Sequence, residues 1–187
     1  MYSVSEFRKG LKIEIDGHPY LMVDQQFVKP GKGQAFSRTR LKSLLDGRVI
    51  DRTFKIVEKV KPADVSEGPA QYLYADGTEY HFMDNESYEQ FTVSGEVLGD
   101  TINWMQDNAE VQVVRWNGKP ISVDLPNFVV LEVTECEPAV KGDTATGASK
   151  QATVETGAQV SVPLFINLGD RLKIDTREGK YVERVRK

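Results

Sequence analysis

Short runs of alternating apolar and polar residues, each ending at a tight-turn signal, restrict this chain to a strand-rich fold. The run Leu11–Ile15 alternates apolar and charged residues and ends at Asp16-Gly17. Asn117-Gly118 separates two further apolar runs, and Asp46-Gly47 marks another reversal. Alternation with period 2 is typical of a half-buried strand, and Asn-Gly or Asp-Gly is favoured in hairpin turns. Many short strands at this spacing favour small β-barrels over an α/β arrangement.

Two segments that contain proline divide the chain of 187 residues. The first covers residues 61–69, and the second is Leu125-Pro126-Asn127. Because such segments interrupt regular structure, they predict domains over residues 1–64, 65–127 and 128–187, each of about 60 residues, near the lower size for independent folding. Short helical pieces are expected between Asn85 and Asp107, and a polar loop from Gly142 to Gln151.

Charge is distributed unevenly along the chain. The net charge of the whole sequence is −4, but residues 1–64 carry +5, residues 65–127 carry −9, and residues 128–187 are neutral. A basic domain followed by a strongly acidic one predicts domains with different partners, the basic one facing nucleic acid.

The sequence predicts a protein of the reducing cytoplasm. No apolar run approaches the roughly 20 residues of a membrane span, and the N-terminus lacks the basic start and apolar stretch of a signal peptide. The single cysteine, Cys136, cannot form an internal disulfide. We therefore expect no membrane association.

Catalytic motifs are missing from the sequence. His18 and His81 fall in different predicted domains, and no set of Cys and His residues has zinc-site spacing. Gly31-Lys32-Gly33 lacks the longer loop, the Lys-Ser/Thr pair and the following helix of a P-loop. A hydrolase that uses the acidic domain would need a motif that the carboxylates there do not form. We expect no enzymatic activity, no metal and no cofactor.

Lys32 lies between two glycines at a predicted chain reversal. Pro30 fixes its own φ, while the absence of a Cβ lets Gly31 and Gly33 adopt positive φ. If extended, the chain from Asp24 to Lys32 reaches roughly 25 Å at about 3.3 Å per residue. Both a solvated turn lysine and a lysine presented for contact fit this pattern. The tip loop comprises Lys29, Pro30, Gly31, Lys32, Gly33 and Gln34.

Three cations alternate along the strand that follows the tip. Arg38, Arg40 and Lys42 fall on one predicted face, with small or apolar residues on the other. In a domain of net charge +5, such a stripe predicts contact with RNA phosphates. An ordinary solvated strand face is the alternative.

The tip segment Lys29-Pro30-Gly31-Lys32-Gly33-Gln34-Ala35-Phe36 resembles the first-domain tip of the bacterial elongation factor P family. The similarity extends from Phe7 to Arg184 and is most specific in the C-terminal part, in the segments Lys141-Gly142-Asp143-Thr144-Ala145, Val162-Pro163-Leu164-Phe165-Ile166 and Ile174-Asp175-Thr176-Arg177. The resemblance implies an all-β fold: an SH3-like N-terminal domain and two OB-like barrels in an L-shaped arrangement similar to tRNA.

The same resemblance implies a function. Family members bind the ribosome between the P and E sites, beside the peptidyl-tRNA, and relieve stalling at consecutive prolines. By matching positions, Lys32 is a candidate for β-lysylation by a modifying enzyme. Tyr181 and Arg184 match residues near the anticodon stem, and Gly142, Asp143 and Thr144 match a loop that approaches the small subunit near the E-site codon. We expect a monomer.

Two alternatives remain open. An elongation factor P-like paralogue shares the fold, although the Lys-Pro-Gly-Lys-Gly-Gln-Ala tip favours the factor proper. A general single-strand RNA-binding protein with OB-like barrels is the other, although the extended arm and the acidic middle domain fit it poorly. For the C-terminal pair, Tyr181 packing on the barrel and a solvated Arg184 form the structural alternative.

Overall fold

The computed structural model describes residues 1–139 and 148–186. Within these ranges, the strands form three sheets, one of six strands and two of five. Each sheet has its own cluster of buried apolar side chains. The all-β fold predicted from the alternation of apolar and polar residues is confirmed.

The first sheet is antiparallel, in the order β1-β6-β2-β3-β4-β5. Asp16 and Gly17, at φ values of +50° and +77°, form the tight turn between β2 and β3 that their sequence predicts. Its elements are β1 (Tyr2–Ser3), a 3-10 helix (Val4–Glu6), β2 (Lys12–Ile15), β3 (His18–Val28), β4 (Phe36–Ser43), β5 (Val49–Lys55) and β6 (Lys59–Pro62).

An arm extends from this sheet because β3 and β4 are longer than their neighbour β2. The register of β2 with β3 covers His18 to Leu21, whereas the register of β3 with β4 continues to the pair Val28 and Phe36. On the other side of β4, β5 continues to Lys55, opposite Phe36. The tip loop therefore lies at the end of a ribbon formed by β3, β4 and β5.

The second sheet has the order β11-β10-β7-β8-β9. Its helical pieces fall within the interval expected from the sequence, and Asn117-Gly118 forms the turn between β10 and β11. The elements are β7 (Val65–Asp76), β8 (Glu79–Asp84), β9 (Gln90–Ser94), α1 (Gly95–Leu98), a 3-10 helix (Gly99–Trp104), β10 (Glu110–Trp116) and β11 (Lys119–Asp124).

The third sheet is antiparallel, in the order β14-β13-β12-β15-β16. Its strands are β12 (Phe128–Cys136), β13 (Ser149–Val154), β14 (Gln159–Pro163), β15 (Arg171–Asp175) and β16 (Lys180–Val185). The loop predicted from Gly142 to Gln151 is wrong at its end, since Ser149 already starts β13. Lys150 is only 8% exposed and shares the buried face of β13 with Ala152. Because a charged residue occupies a buried position, the alternation of apolar and polar residues was not visible in the sequence.

The chain separates into two compact units. One consists of Met1–Glu67 with Val114–Ser122, and the other of Gly68–Val113 with Val123–Lys187. In the first unit, Asn117 N donates a hydrogen bond to Asp64 O at 2.9 Å. The predicted boundaries after residues 64 and 127 stay a prediction.

Among the described residues, none of the helices has the length and apolar character needed to cross a bilayer.

Candidate functional site

The tip loop presents Lys32 to solvent without side-chain neighbours at its flanking glycines. Gly33 has a φ of +102°, whereas Gly31 lies outside the positive-φ region, so the predicted freedom is used at one glycine. A Cβ built on either glycine would meet no atom within 4 Å. At the base of the loop, Ile56 N donates to Ala35 O at 3.2 Å. The loop is thus fixed at its base, and Lys32 is exposed between its two glycines.

Apolar side chains are exposed at the distal end of the arm, a feature that the sequence analysis missed. Phe27 is 49% exposed, Ile56 47% and Val57 70%. Phe27 lies opposite Ser37, which in turn lies opposite Phe54, so these three share the inner face of the ribbon. The only sequence signal was an apolar residue directly after two glutamines in β3.

The three cations predicted to form a stripe do lie on one exposed face of β4. Arg38, Arg40 and Lys42 are exposed, and the intervening residues Ser37, Thr39, Leu41 and Ser43 are buried. Two of these cations are oriented by neighbours. The guanidinium of Arg38 lies 5.5 Å from the centroid of the Phe36 ring, and Arg40 Nε donates to Asp51 Oδ1 at 3.2 Å.

Carboxylates from neighbouring strands reduce the positive charge of this face. A groove of about 280 Å³ is lined by residues that include Asp24, Arg38, Arg40, Asp51 and Arg52. Arg40 lies in register with Asp24 on one side and Asp51 on the other. Alternation within β4 could not reveal these partners, since they lie on β3 and β5.

A β-bulge sets the orientation of Tyr181 and Arg184. Tyr181 pairs with Ile174, and Arg184 pairs with Leu172, because Val182 is the extra residue in β16. Ile174 and Leu172 are two residues apart and both fully buried, so they share the barrel face of β15. Residues three apart, which would lie on opposite faces of a regular strand, therefore lie on the same face here.

The two C-terminal candidate residues differ in burial. Tyr181 is half-buried and packs against the core of the third sheet, as the structural alternative predicted. The Arg184 side chain is 47% exposed, yet it has two neighbours. Its guanidinium carbon lies 5.2 Å from the Phe165 ring centroid, and its Nη1 lies 3.7 Å from Asp170 Oδ2. The third candidate group, Gly142, Asp143 and Thr144, lies outside the described residues.

Burial raises the pKa of Tyr72 on β7, and the shifted carboxyl groups lie in turns and caps. Backbone hydrogen bonds from Ser3 and from Arg48 lower the pKa of Glu6 and of Asp46, respectively. Side-chain hydrogen bonds from Arg177 lower the pKa of Asp175. Within residues 1–139 and 148–186, no group of three or more His, Cys, Asp or Glu residues is suited to hold a metal ion.

Two further residues weighed in the sequence analysis have structural partners. The rings of His81 and Tyr74 stack with centroids 4.5 Å apart, and Cys136 Sγ lies 3.3 Å from Ile166 O.

Three family profiles match consecutive parts of the chain. Residues 3–60 match the elongation factor P KOW-like domain, residues 65–123 the elongation factor P OB domain, and residues 129–184 the elongation factor P C-terminal domain. KOW-like and OB domains are small β-barrels, which agrees with the predicted fold class.

Individual relatives agree with these profiles. The chain is 51% identical over 185 residues to elongation factor P of Pelotomaculum thermopropionicum, covering 99% of this chain and 100% of the relative. Initiation factor 5A from Methanococcus jannaschii matches 65% of this chain and 92% of its own, with a TM-score of 0.53 at 24% identity. An initiation factor 5A family protein from Naegleria fowleri matches 66% of this chain and 96% of its own, with a TM-score of 0.54 at 16% identity. These two structures support the fold.

Proposed function

The chain belongs to the elongation factor P family of translation elongation factors, and from that premise we propose that it binds the ribosome between the P and E sites. There it stimulates peptide-bond formation at consecutive prolines. Family membership implies interaction with the ribosome and tRNA in general. The observation that supports the finer proposal is the exposed Lys32 at the end of the arm formed by β3, β4 and β5.

The proposed action is on substrate geometry. Proline is a constrained and slow substrate, and correct positioning of two reacting groups supplies about 7–11 kcal/mol in favourable cases. A narrow ribbon that carries an amine at its end suits a crowded reaction centre. The ribosome performs the chemistry, and the protein acts without a catalytic site of its own.

The surface chemistry of the arm supports contact with RNA. Arg38 and Lys42 are exposed on the stripe, and Arg40 is held by Asp51 with most of its surface open to solvent. Cations of this kind contact phosphates and fix the orientation of a protein on RNA without reading sequence. In this proposal the stripe contacts RNA while the tip extends beyond it.

We also propose that Lys32 is modified by β-lysylation, which would lengthen the arm at its tip. A β-lysyl group lengthens the side chain and adds a second amine, so the arm reaches further. Since Lys32 and both flanking glycines are exposed, a modifying enzyme can approach the side chain. Mass spectrometry of the protein from its native organism tests this step. An unmodified Lys32 peptide at full occupancy would exclude it.

We also propose that the protein acts as a monomer in the cytoplasm, where its ribosomal partner is found. Sedimentation of the purified protein tests the first part.

Peptide synthesis on purified ribosomes tests the main proposal. We expect the protein to accelerate formation of a tri-proline peptide while leaving a tri-phenylalanine peptide unchanged. Equal effects on both peptides, or no effect on either, would contradict the proposal. Binding to single-stranded RNA without any effect on proline peptides would instead support the general RNA-binding alternative.

A further inference from the structure

Phe165 is an exposed aromatic residue next to the fully buried Ile166. Its residue exposure is 56%, whereas Ile166 is completely buried. An exposed phenylalanine contributes little to folding, since apolar surface stabilises a protein only when it leaves water. What the ring does contact is the guanidinium of Arg184, whose central carbon lies 5.2 Å from the ring centroid. This distance is within the range of a cation–π interaction.

Asp170 approaches the same guanidinium and is itself fixed by the turn before β15. Its Oδ2 accepts a hydrogen bond from Asn167 N at 2.8 Å, and its backbone N donates to Asn167 O at 3.1 Å. Its carbonyl oxygen accepts from Val133 N at 2.9 Å. The carboxylate that faces Arg184 therefore has a defined position.

Arg184 is oriented by its neighbours, but its hydrogen-bond donors are not used by them. The 3.7 Å between Arg184 Nη1 and Asp170 Oδ2 exceeds a hydrogen-bond length of about 2.7–3.2 Å. Outside residues 140–147 and 187, the structure records no hydrogen bond from the Arg184 guanidinium. Its N–H donors thus stay available to a ligand, and a guanidinium fork matches the geometry of a phosphate group.

Arg177 in the same domain shows the opposite arrangement. Its Nε and Nη2 donate to the two carboxylate oxygens of Asp175 at 3.1 Å and 2.9 Å. This bidentate pair uses the donors that a phosphate would need. The contrast indicates that the loose pairing of Arg184 is a property of its site and is not shared by every arginine of the domain.

We propose that Phe165 and Asp170 are positioning residues that hold the Arg184 guanidinium ready for a phosphate group of RNA. The proposal rests on the proposed function and adds to it a contact between the C-terminal domain and tRNA. The Phe165 ring attracts the guanidinium from 5.2 Å, and the Asp170 carboxylate attracts its Nη1 from 3.7 Å, so the two together restrict the rotation of the side chain. An arginine already held in its bound conformation loses less side-chain entropy on binding.

A positioning role and a purely electrostatic role predict opposite effects on RNA binding when the charge of Asp170 is removed. Asp170→Asn removes a negative charge beside Arg184, so a purely electrostatic account predicts tighter binding to RNA. Positioning predicts the reverse, because the guanidinium loses its orienting partner. Asp175→Asn removes the same charge from the same domain at an arginine with no proposed role, and it is the matched control.

The test measures the affinity of the full-length protein for ribosomes that carry a P-site tRNA, over a range of salt concentrations. Arg184→Ala should weaken binding about tenfold or more and lower the salt slope by about one. Phe165→Leu and Asp170→Asn should weaken binding about two- to fivefold with an unchanged salt slope, because the charge of Arg184 stays. Phe165→Tyr keeps an aromatic ring and should bind with wild-type affinity. Asp175→Asn should leave binding unchanged or tighter.

Three results would overturn the proposal. The first is wild-type or tighter binding by both Phe165→Leu and Asp170→Asn. The second is a loss that Phe165→Tyr does not rescue, or that follows a lowered melting temperature. The third is wild-type affinity and salt slope for Arg184→Ala, which would remove the phosphate contact altogether. The proposed function is judged separately, by whether the wild-type protein stimulates tri-proline synthesis.

Discussion

Lys32 and Arg184 are cations in opposite structural settings. Lys32 lies in a loop whose glycines have open space around them, at the end of a ribbon fixed by strand pairing. Arg184 lies on an edge strand, beside an aromatic ring at 5.2 Å and a carboxylate at 3.7 Å. The first setting favours reach and chemical access, and the second favours a fixed orientation. From this difference we propose that the two residues contribute to function through different quantities, the tip loop through the rate of peptide-bond formation and the C-terminal domain through affinity.

The largest effect is expected from Lys32→Ala. Stimulation of tri-proline synthesis should fall to the level without the protein, because the other amine of the loop, that of Lys29, lies next to the end of β3 and not between the two glycines. The free energy of unfolding should change by less than about 0.5 kcal/mol, as is usual for an exposed side chain. Lys9→Ala, at an exposed lysine of the same domain outside the arm, is the control and should behave as wild type. Retained stimulation by Lys32→Ala would remove the tip from the account.

The double substitution Arg38→Glu with Arg40→Glu tests the stripe. Ribosome affinity at low salt should fall by roughly a hundredfold, and the salt slope should drop by about two, because two phosphate contacts are lost. Arg48→Glu makes the same kind of charge change in the turn between β4 and β5, beyond the Lys42 end of the stripe, and should alter binding far less. An unchanged affinity at every salt concentration would assign the stripe to solvent.

Gly33→Ala tests the loop conformation that presents Lys32. Since Gly33 has a φ of +102°, an added Cβ strains the backbone by about 1–2 kcal/mol even though the surrounding space is open. We expect a severalfold lower stimulation from a displaced lysine. Gly31→Ala is matched in open space but lacks the positive φ, so it should be tolerated. Equal behaviour of the two variants would show that tip geometry does not limit activity.

The smallest expected effect is on the pH dependence of stability, and it comes from the ion pair of Asp175 and Arg177. Hydrogen bonds from the Arg177 side chain lower the pKa of Asp175 in the folded protein. This pair therefore stabilises the fold above the pKa that Asp175 has in the unfolded chain, and the contribution disappears as pH falls through the lowered folded pKa. Asp175→Asn should make the acid side of the stability curve flatter, measured by urea unfolding between about pH 2 and 5. An identical pH dependence in the variant would contradict the assignment.

Local sequence patterns predicted the strand faces and the tight turns. Asp16-Gly17 and Asn117-Gly118 form positive-φ turns because their short or absent side chains tolerate that conformation. The alternation from Ser37 to Ser43 correctly separated the exposed cations from the buried side of β4. These features depend on residues close together in the chain.

Features that join distant residues could not be predicted in this way. Trp104 belongs to the buried cluster of the third sheet, and a Cβ on Gly179 would lie 3.0 Å from its ring. Likewise, the bulge at Val182 follows from the register with β15, and it alone brings Tyr181 and Arg184 to one face. Asp51 on β5 reaches Arg40 on the neighbouring strand β4. Each depends on tertiary pairing that period-2 patterns do not encode.

The most direct test separates rate from affinity for the two cations. Binding to ribosomes with a P-site tRNA and the maximal rate of tri-proline synthesis are measured for wild type, Lys32→Ala and Arg184→Ala. The account predicts that Lys32→Ala binds within about twofold of wild type but gives no stimulation at saturation. Arg184→Ala should bind about tenfold or more weakly and still reach the wild-type rate when enough protein is added. If both variants lose affinity alone, or both lose the maximal rate alone, the division between a reactive tip and a binding end is contradicted.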